Sequence, residues 1–128
     1  MRFVSWNVNG LRAAIRKGID GYFDDLKADV VMLQETRTLE EQLPKDWAWP
    51  TGWDVTLHPA EKKGYSGVAT ASTQAHAVVA KGKGGVFDSN DSEGRVLVCE
   101  VNGVVCVNTY LPSGSNKDER QTFKEGWM

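Results

Sequence analysis

FVSWNVNGLRAAIRKGIDGYFDDLKADVVMLQE, residues 3–35, sets a helical pattern between two runs that read as strands. Residues 2–8 are rich in Phe, Val and Trp, residue types that suit a pleated, half-buried surface. Leu11, Ile15, Ile19, Tyr22, Phe23 and Leu26 then recur every three or four positions, which predicts one helix or two short ones with an apolar stripe. Asp29 to Gln34, DVVMLQ, is almost wholly apolar up to its glutamine, as expected of a central strand covered on both faces. If the two strands are parallel neighbours, Asn7, Asn9 and Glu35 reach the same sheet edge, the place where open α/β sheets bind ligands. A carboxylate there is either a solvated strand end or a ligand for a hard cation such as Mg²⁺.

Beyond this unit, Thr38 followed by Glu41 reads as a capping box for a short helix that Pro44 closes. Residues 53–57, 67–71 and 75–80 read as strands, and 81–94, with its glycines and charges, as an exposed loop. Arg95–Val101 and Val104–Tyr110 form the clearest pair, a hairpin about Asn102-Gly103. Its register puts Cys99 opposite Cys106 and Tyr110 across from Arg95. Asn116 with Glu119 could cap a last helix carrying Phe123 and Trp127. A helix between the first two strands and about seven strands in all indicate an α/β sandwich. A Rossmann fold is disfavoured because no Gly-x-Gly-x-x-Gly follows the first strand, and no Walker motif occurs.

With 128 residues, 41% of them hydrophobic, the chain can build one modest core. Fifteen basic against 17 acidic residues leave a formal net charge of -2, so bulk charge gives no argument for nucleic acid, although a local basic cluster could still bind a phosphate backbone. No apolar stretch approaches the roughly 18 residues of a membrane span, and the reading is a soluble, intracellular chain without membrane contact. The two cysteines read as buried thiols in neighbouring strands, with a disulfide as the alternative; two ligands alone make a poor zinc site. His58 and His76 read as surface or strand-end residues. On residues alone, Arg12, Arg16 and Lys17 are a solvated helix face and Tyr110 is an aromatic strand end packed on Arg95.

Five segments change that reading. SWNVNGLRA (5–13), LQET (33–36), GYSGVA (64–69), EGRVL (93–97) and YLPSG (110–114) occur in the order and approximate spacing of the exonuclease III family. The chain thus resembles Mg²⁺-dependent abasic-site endonucleases of the endonuclease/exonuclease/phosphatase superfamily. The resemblance implies a four-layer α/β-sandwich (DNase I-like), with one mixed sheet and flanking helices from this chain. It implies that Glu35 is a metal ligand and that Asn7 serves metal site and catalysis. Tyr110 would contact the scissile phosphate. Arg12, Ala13 and Lys17 would grip the DNA backbone, as would Gly64, Tyr65, Ser66 and Ser113, with Asn9 and Arg95 in support. The implied cofactor is Mg²⁺, with Mn²⁺ as a substitute, and the implied partner is double-stranded DNA with abasic sites.

In the family, a Gly-Asp-x-Asn segment and a terminal Ser-Asp-His segment supply the remaining catalytic groups. This sequence contains neither. Residues 1–128 are therefore expected to form the first half of the domain, with negligible nuclease activity alone. An uncovered apolar sheet face would then invite self-association. A noncatalytic DNA-binding or assembly module and an inactive fragment are the alternatives. The implied location is the cytoplasm, with the nucleoid, for a bacterial protein and the nucleus for a eukaryotic one.

Overall fold

The computed structural model describes residues 1–82 and 92–112. The opening unit folds as β1 (Phe3–Asn7), α1 (Leu11–Arg16), α2 (Ile19–Asp25) and β2 (Val30–Gln34). The helical stretch is two helices because Gly18, at φ +85°, takes the left-handed conformation that ends α1. Strands β3 (Asp54–His58), β4 (Val68–Ser72), β5 (His76–Lys81), β6 (Val96–Val101) and β7 (Val104–Thr109) complete the described elements. The expected mixed sheet is present, in the order β1-β2-β4-β3, with β1 and β2 parallel and the other pairs antiparallel. A second, antiparallel sheet, β5-β6-β7, stands apart from it. The helix expected from Asn116 and the Ser113 position lie outside the described residues.

The apolar run of β2 is explained by what covers it. Val31 and Leu33 face Leu11, Ile19 and Phe23 of the helices, whereas Val30 packs with Val101 and Cys106 of the second sheet. Each of these side chains contributes about 1.5–3 kcal/mol on burial. The described residues thus form three layers, helices on sheet on sheet. Tyr22 departs from the expected apolar stripe: it is 52% exposed and makes an edge contact with Trp6 at 5.7 Å. Trp49 and Trp53, whose role the sequence did not reveal, stack on Phe23 at 6.2 and 5.1 Å and close the outer side of the helical core.

A buried amide joins the sheets. Asn108 Nδ2 donates to the carbonyls of Ala69 (2.8 Å) and Leu33 (3.2 Å), and its Oδ1 accepts from Gln34 Nε2 at 2.8 Å. The hairpin turns on Asn102 (φ +49°) and Gly103 (φ +78°), the two left-handed positions that a type I′ turn requires. Cys99 faces Cys106 as expected, and both thiols are free and buried. Burial, with Cys106 beside it, pushes the Cys99 thiol up to about 11.

Two expectations are corrected. No Thr38–Glu41 capping box forms: one residue further on, Gln42 Oε1 accepts from the Leu39 backbone N–H at 3.0 Å, half of such a box, and Thr38 instead donates to the Leu39 carbonyl. The element it caps is a single 3₁₀ turn, Glu40–Gln42. His76 stands at a strand end, as expected, with its ring between Thr56 Oγ1 and Ser72 Oγ, each at 2.7 Å. Among the described residues no helix is long and apolar enough to cross a membrane. The apolar hairpin run is only partly covered, with Val105 and Val107 58% and 57% exposed while Leu97, Cys99 and Val101 are buried.

Candidate active site

Three loops meet at the C-terminal ends of β1 and β2, and backbone hydrogen bonds lace them together. The segment after β1 is held to the one after β2: the N–H groups of Val8, Gly10 and Leu11 donate to the carbonyls of Gln34, Glu35 and Thr36. The loop before β4 closes the other side, where Thr36 N–H donates to Gly67 O (3.1 Å) and Arg37 N–H to Ser66 O (2.7 Å). Glycine is required at 67, since φ is +90° and an added Cβ would lie 2.3 Å from Thr36 Oγ1. Asn9, Glu35, Arg37 and Ser66 all have positive φ, between 49° and 58°. Such conformations cost free energy and collect where a ligand site demands them.

Glu35 is the centre of the arrangement. Its side chain is 11% exposed; Oε1 accepts from Asn7 Nδ2 at 3.2 Å, and Oε2 is paired with Arg37. Asn7 uses its other end too, since its Oδ1 accepts from the Asn9 backbone N–H at 2.9 Å. The amide therefore orients Glu35 and fixes the turn through Asn9. Tyr110 arrives from the second sheet, directly after β7, close enough to the Glu35 carboxylate to feel its charge. Burial, then the nearby Glu35 carboxylate, raise the Tyr110 phenol above its ordinary pKa, while Arg95 and Arg37 oppose the rise. The phenol is thus held protonated through neutral pH as a hydrogen-bond donor.

Arg95 holds Tyr110 in place. It is 2% exposed and donates from Nε to Glu93 (2.8 Å), from Nη2 to the Tyr65 hydroxyl (3.0 Å) and from Nη1 to the Tyr110 carbonyl (3.1 Å). Its guanidinium also lies 5.2 Å from the Tyr110 ring centroid. The expected register, Tyr110 across from Arg95, is present, with Tyr110 N–H donating to Arg95 O at 2.9 Å.

The candidate DNA-gripping residues divide. Arg12, Ala13 and Gly64 share a pocket of about 410 Å³ with Asn9, Arg16 and Arg37. Lys17 lies in an adjoining groove with Trp6, Asn9 and Tyr22. Tyr65 faces a separate cleft with Lys62 and Glu93, and Ser66 is buried. Arg37 was missed by the sequence reading. A basic residue two positions after the strand-end glutamate was the available signal, and only the left-handed turn at Glu35 shows that the two side chains meet.

Glu35 offers a hard oxygen donor of the kind Mg²⁺ prefers. The Thr36 and Ser66 hydroxyls in the flanking loops are buried and have no hydrogen-bond partner among the described residues, as befits a polar site shaped for more than packing. Among the described residues no group of three His, Cys, Asp or Glu side chains could enclose a metal. The residues present thus fit one protein ligand of a hydrated divalent cation.

A layered α/β sandwich thus brings a carboxylate, an amide and a phenol together at its strand ends. The family model described as Endonuclease/Exonuclease/phosphatase family matches residues 4–125, and the chain belongs to that family, whose nucleases depend on a divalent metal. It is 37% identical over 128 residues to an exodeoxyribonuclease of Bacillus subtilis, an alignment that covers 99% of this chain and 49% of that protein. An AP endonuclease from Archaeoglobus fulgidus superposes with a TM-score of 0.83 at 26% identity, covering 99% of this chain and 48% of that one. A 3′ phosphatase from Neisseria bound to product DNA hairpin gives 0.80 at 26% identity, with the same coverage. The chain spans about half the length of these relatives.

Proposed function

We propose that residues 1–128 supply the N-terminal wall of the active site of a Mg²⁺-dependent nuclease that hydrolyses the DNA phosphodiester bond 5′ to an abasic site, with 3′ to 5′ exonuclease activity beside it. The observation that carries this reading is the convergence of Asn7, Glu35 and Tyr110 next to an arginine-lined pocket. A bound Mg²⁺, for which Mn²⁺ would substitute, offsets negative charge on the phosphate and leaving oxygen. Glu35 would hold that cation, and Asn7 orients Glu35. The protonated Tyr110 phenol donates to a phosphate oxygen as charge builds there. Arg12, Ala13, Lys17 and Gly64 track the backbone, giving salt-sensitive binding with little sequence preference.

The deciding assay is incision of a fluorescent duplex carrying one abasic analogue, with the intact protein that contains this chain. Mg²⁺-dependent cutting should fall at least about 100-fold in Glu35→Gln, the scale of loss when one electrostatic stabiliser of a transition state is removed; full activity in that variant would overturn the reading. The isolated 128 residues should give negligible turnover. Among the described residues Glu35 is the one carboxylate at the site, which also favours a second reading, a DNA-binding module without chemistry that predicts duplex binding and no incision even by the intact protein. We further propose that the exposed Val105 and Val107 face lets the isolated chain self-associate, measurable by sedimentation. Location follows the DNA substrate: the bacterial nucleoid or the eukaryotic nucleus.

A further inference from the structure

The Glu35 carboxylate is already engaged by a cation. Arg37 sits two residues along the chain, and the left-handed backbone at both positions (φ +58° and +53°) turns its guanidinium back onto Oε2. The two partners are unequal: the Arg37 side chain is 47% exposed, whereas that of Glu35 is 11% exposed. A buried carboxylate without a counter-charge would be costly, so an accessible cation that can leave is a way to keep the site folded before a metal arrives. Arg37 also has somewhere to go. It lines the pocket shared with Arg12 and Arg16, and its backbone carbonyl accepts from Arg12 Nη2 at 3.4 Å, which ties the turn to that pocket.

We propose that Arg37 is a placeholder for the divalent cation: it neutralises Glu35 in the metal-free protein, and metal binding displaces its guanidinium into the arginine-lined pocket. This rests on the reading of Glu35 as a metal ligand. Arg37 thereby sets the metal affinity of the site as a competitor, and the exchange of one cation for another leaves the local fold unchanged.

The test is a Mn²⁺ titration of the 128-residue chain, with free Mn²⁺ read by electron paramagnetic resonance, for wild type and for Arg37→Gln, Arg37→Lys, Arg16→Gln and Glu35→Gln. The exposure of Arg37 makes these changes compatible with folding, and a far-ultraviolet circular dichroism spectrum checks each. Arg37→Gln should bind Mn²⁺ about 10-fold more tightly, the fold-change that a lost competitor of about 1.4 kcal/mol produces. Arg37→Lys should fall between it and wild type. Arg16→Gln removes the same charge from the pocket without releasing Glu35 and should move the affinity less than Arg37→Lys does. Equal tightening by Arg16→Gln and Arg37→Gln would reduce the effect to general charge repulsion and overturn the placeholder role. Unchanged or weaker binding in Arg37→Gln, with binding lost in Glu35→Gln, would overturn it too while leaving Glu35 as the ligand. Binding unchanged in Glu35→Gln would overturn both readings together.

Discussion

The buried polar groups between the sheets and those at the site end obey opposite rules. Asn108 is 1% exposed, yet both ends of its amide are hydrogen-bonded, and the surrounding strands are regular. In the loops after β2 and before β4, the Thr36 and Ser66 hydroxyls are buried and have no hydrogen-bond partner among the described residues. Of six non-glycine residues with positive φ among the described residues, four (Asn9, Glu35, Arg37 and Ser66) lie at that end. Polar groups that serve only the fold are satisfied, because each unsatisfied one costs about 1–3 kcal/mol. The site end tolerates strain and unmet hydrogen-bonding capacity, as expected where the arrangement is built for a ligand.

That contrast can be broken at its strongest point first. Asn108→Ala should lose about 3 kcal/mol of unfolding free energy in urea melts, because it removes a buried amide that donates to the Leu33 and Ala69 carbonyls on two strands and accepts from Gln34 across the sheets. A loss below about 1 kcal/mol would mean that the inter-sheet amide is dispensable and that the contrast fails. Next in size is a pH effect confined to the interior. The folded Cys99 thiol titrates at about 11 against about 9 unfolded. Its contribution is therefore complete below pH 9 and is lost as pH rises from 9 to 11, by about 2–3 kcal/mol. The raised Tyr110 phenol adds to the fall above about pH 10. Melts from pH 8 to pH 11 on wild type and Cys99→Ala should show the step at pH 9–11 shrinking in the variant. The smallest effect sharpens the site side: Thr36→Val should change stability by less than about 1 kcal/mol, because the hydroxyl it removes has no partner. A loss of 2 kcal/mol would show that the Thr36 hydroxyl is satisfied after all.

How much of this was readable in the sequence follows the range of the interactions. The β1–α1–α2–β2 unit, the central place of β2 and the type I′ hairpin rest on local periodicity and turn chemistry, so their residues announced them. The split of the strands into two sheets was not legible, since nothing local in Ala75–Ala80 says which sheet its edge will join. Asn108 reads as one more polar residue in an alternating strand until the sheets stack. At the site, Glu35 stood out because a carboxylate ends an apolar run, and the motif order linked it to Asn7 and Tyr110. Arg37 stayed hidden because its contact depends on a backbone turn at Glu35 that no propensity favours. The partners of His76, a strand-end residue as expected, stayed hidden for a similar reason: Thr56 and Ser72 come from two strands of the other sheet.

The central claim is that the strained end around Glu35 exists to hold a divalent cation. The most direct measurement is the thermal midpoint of the chain with and without millimolar Mn²⁺, for wild type and Glu35→Gln, because a ligand that binds only the folded state must raise it. The account predicts a rise in wild type and none in Glu35→Gln, with both proteins folded in the absence of metal. An equal rise in the two proteins would contradict it.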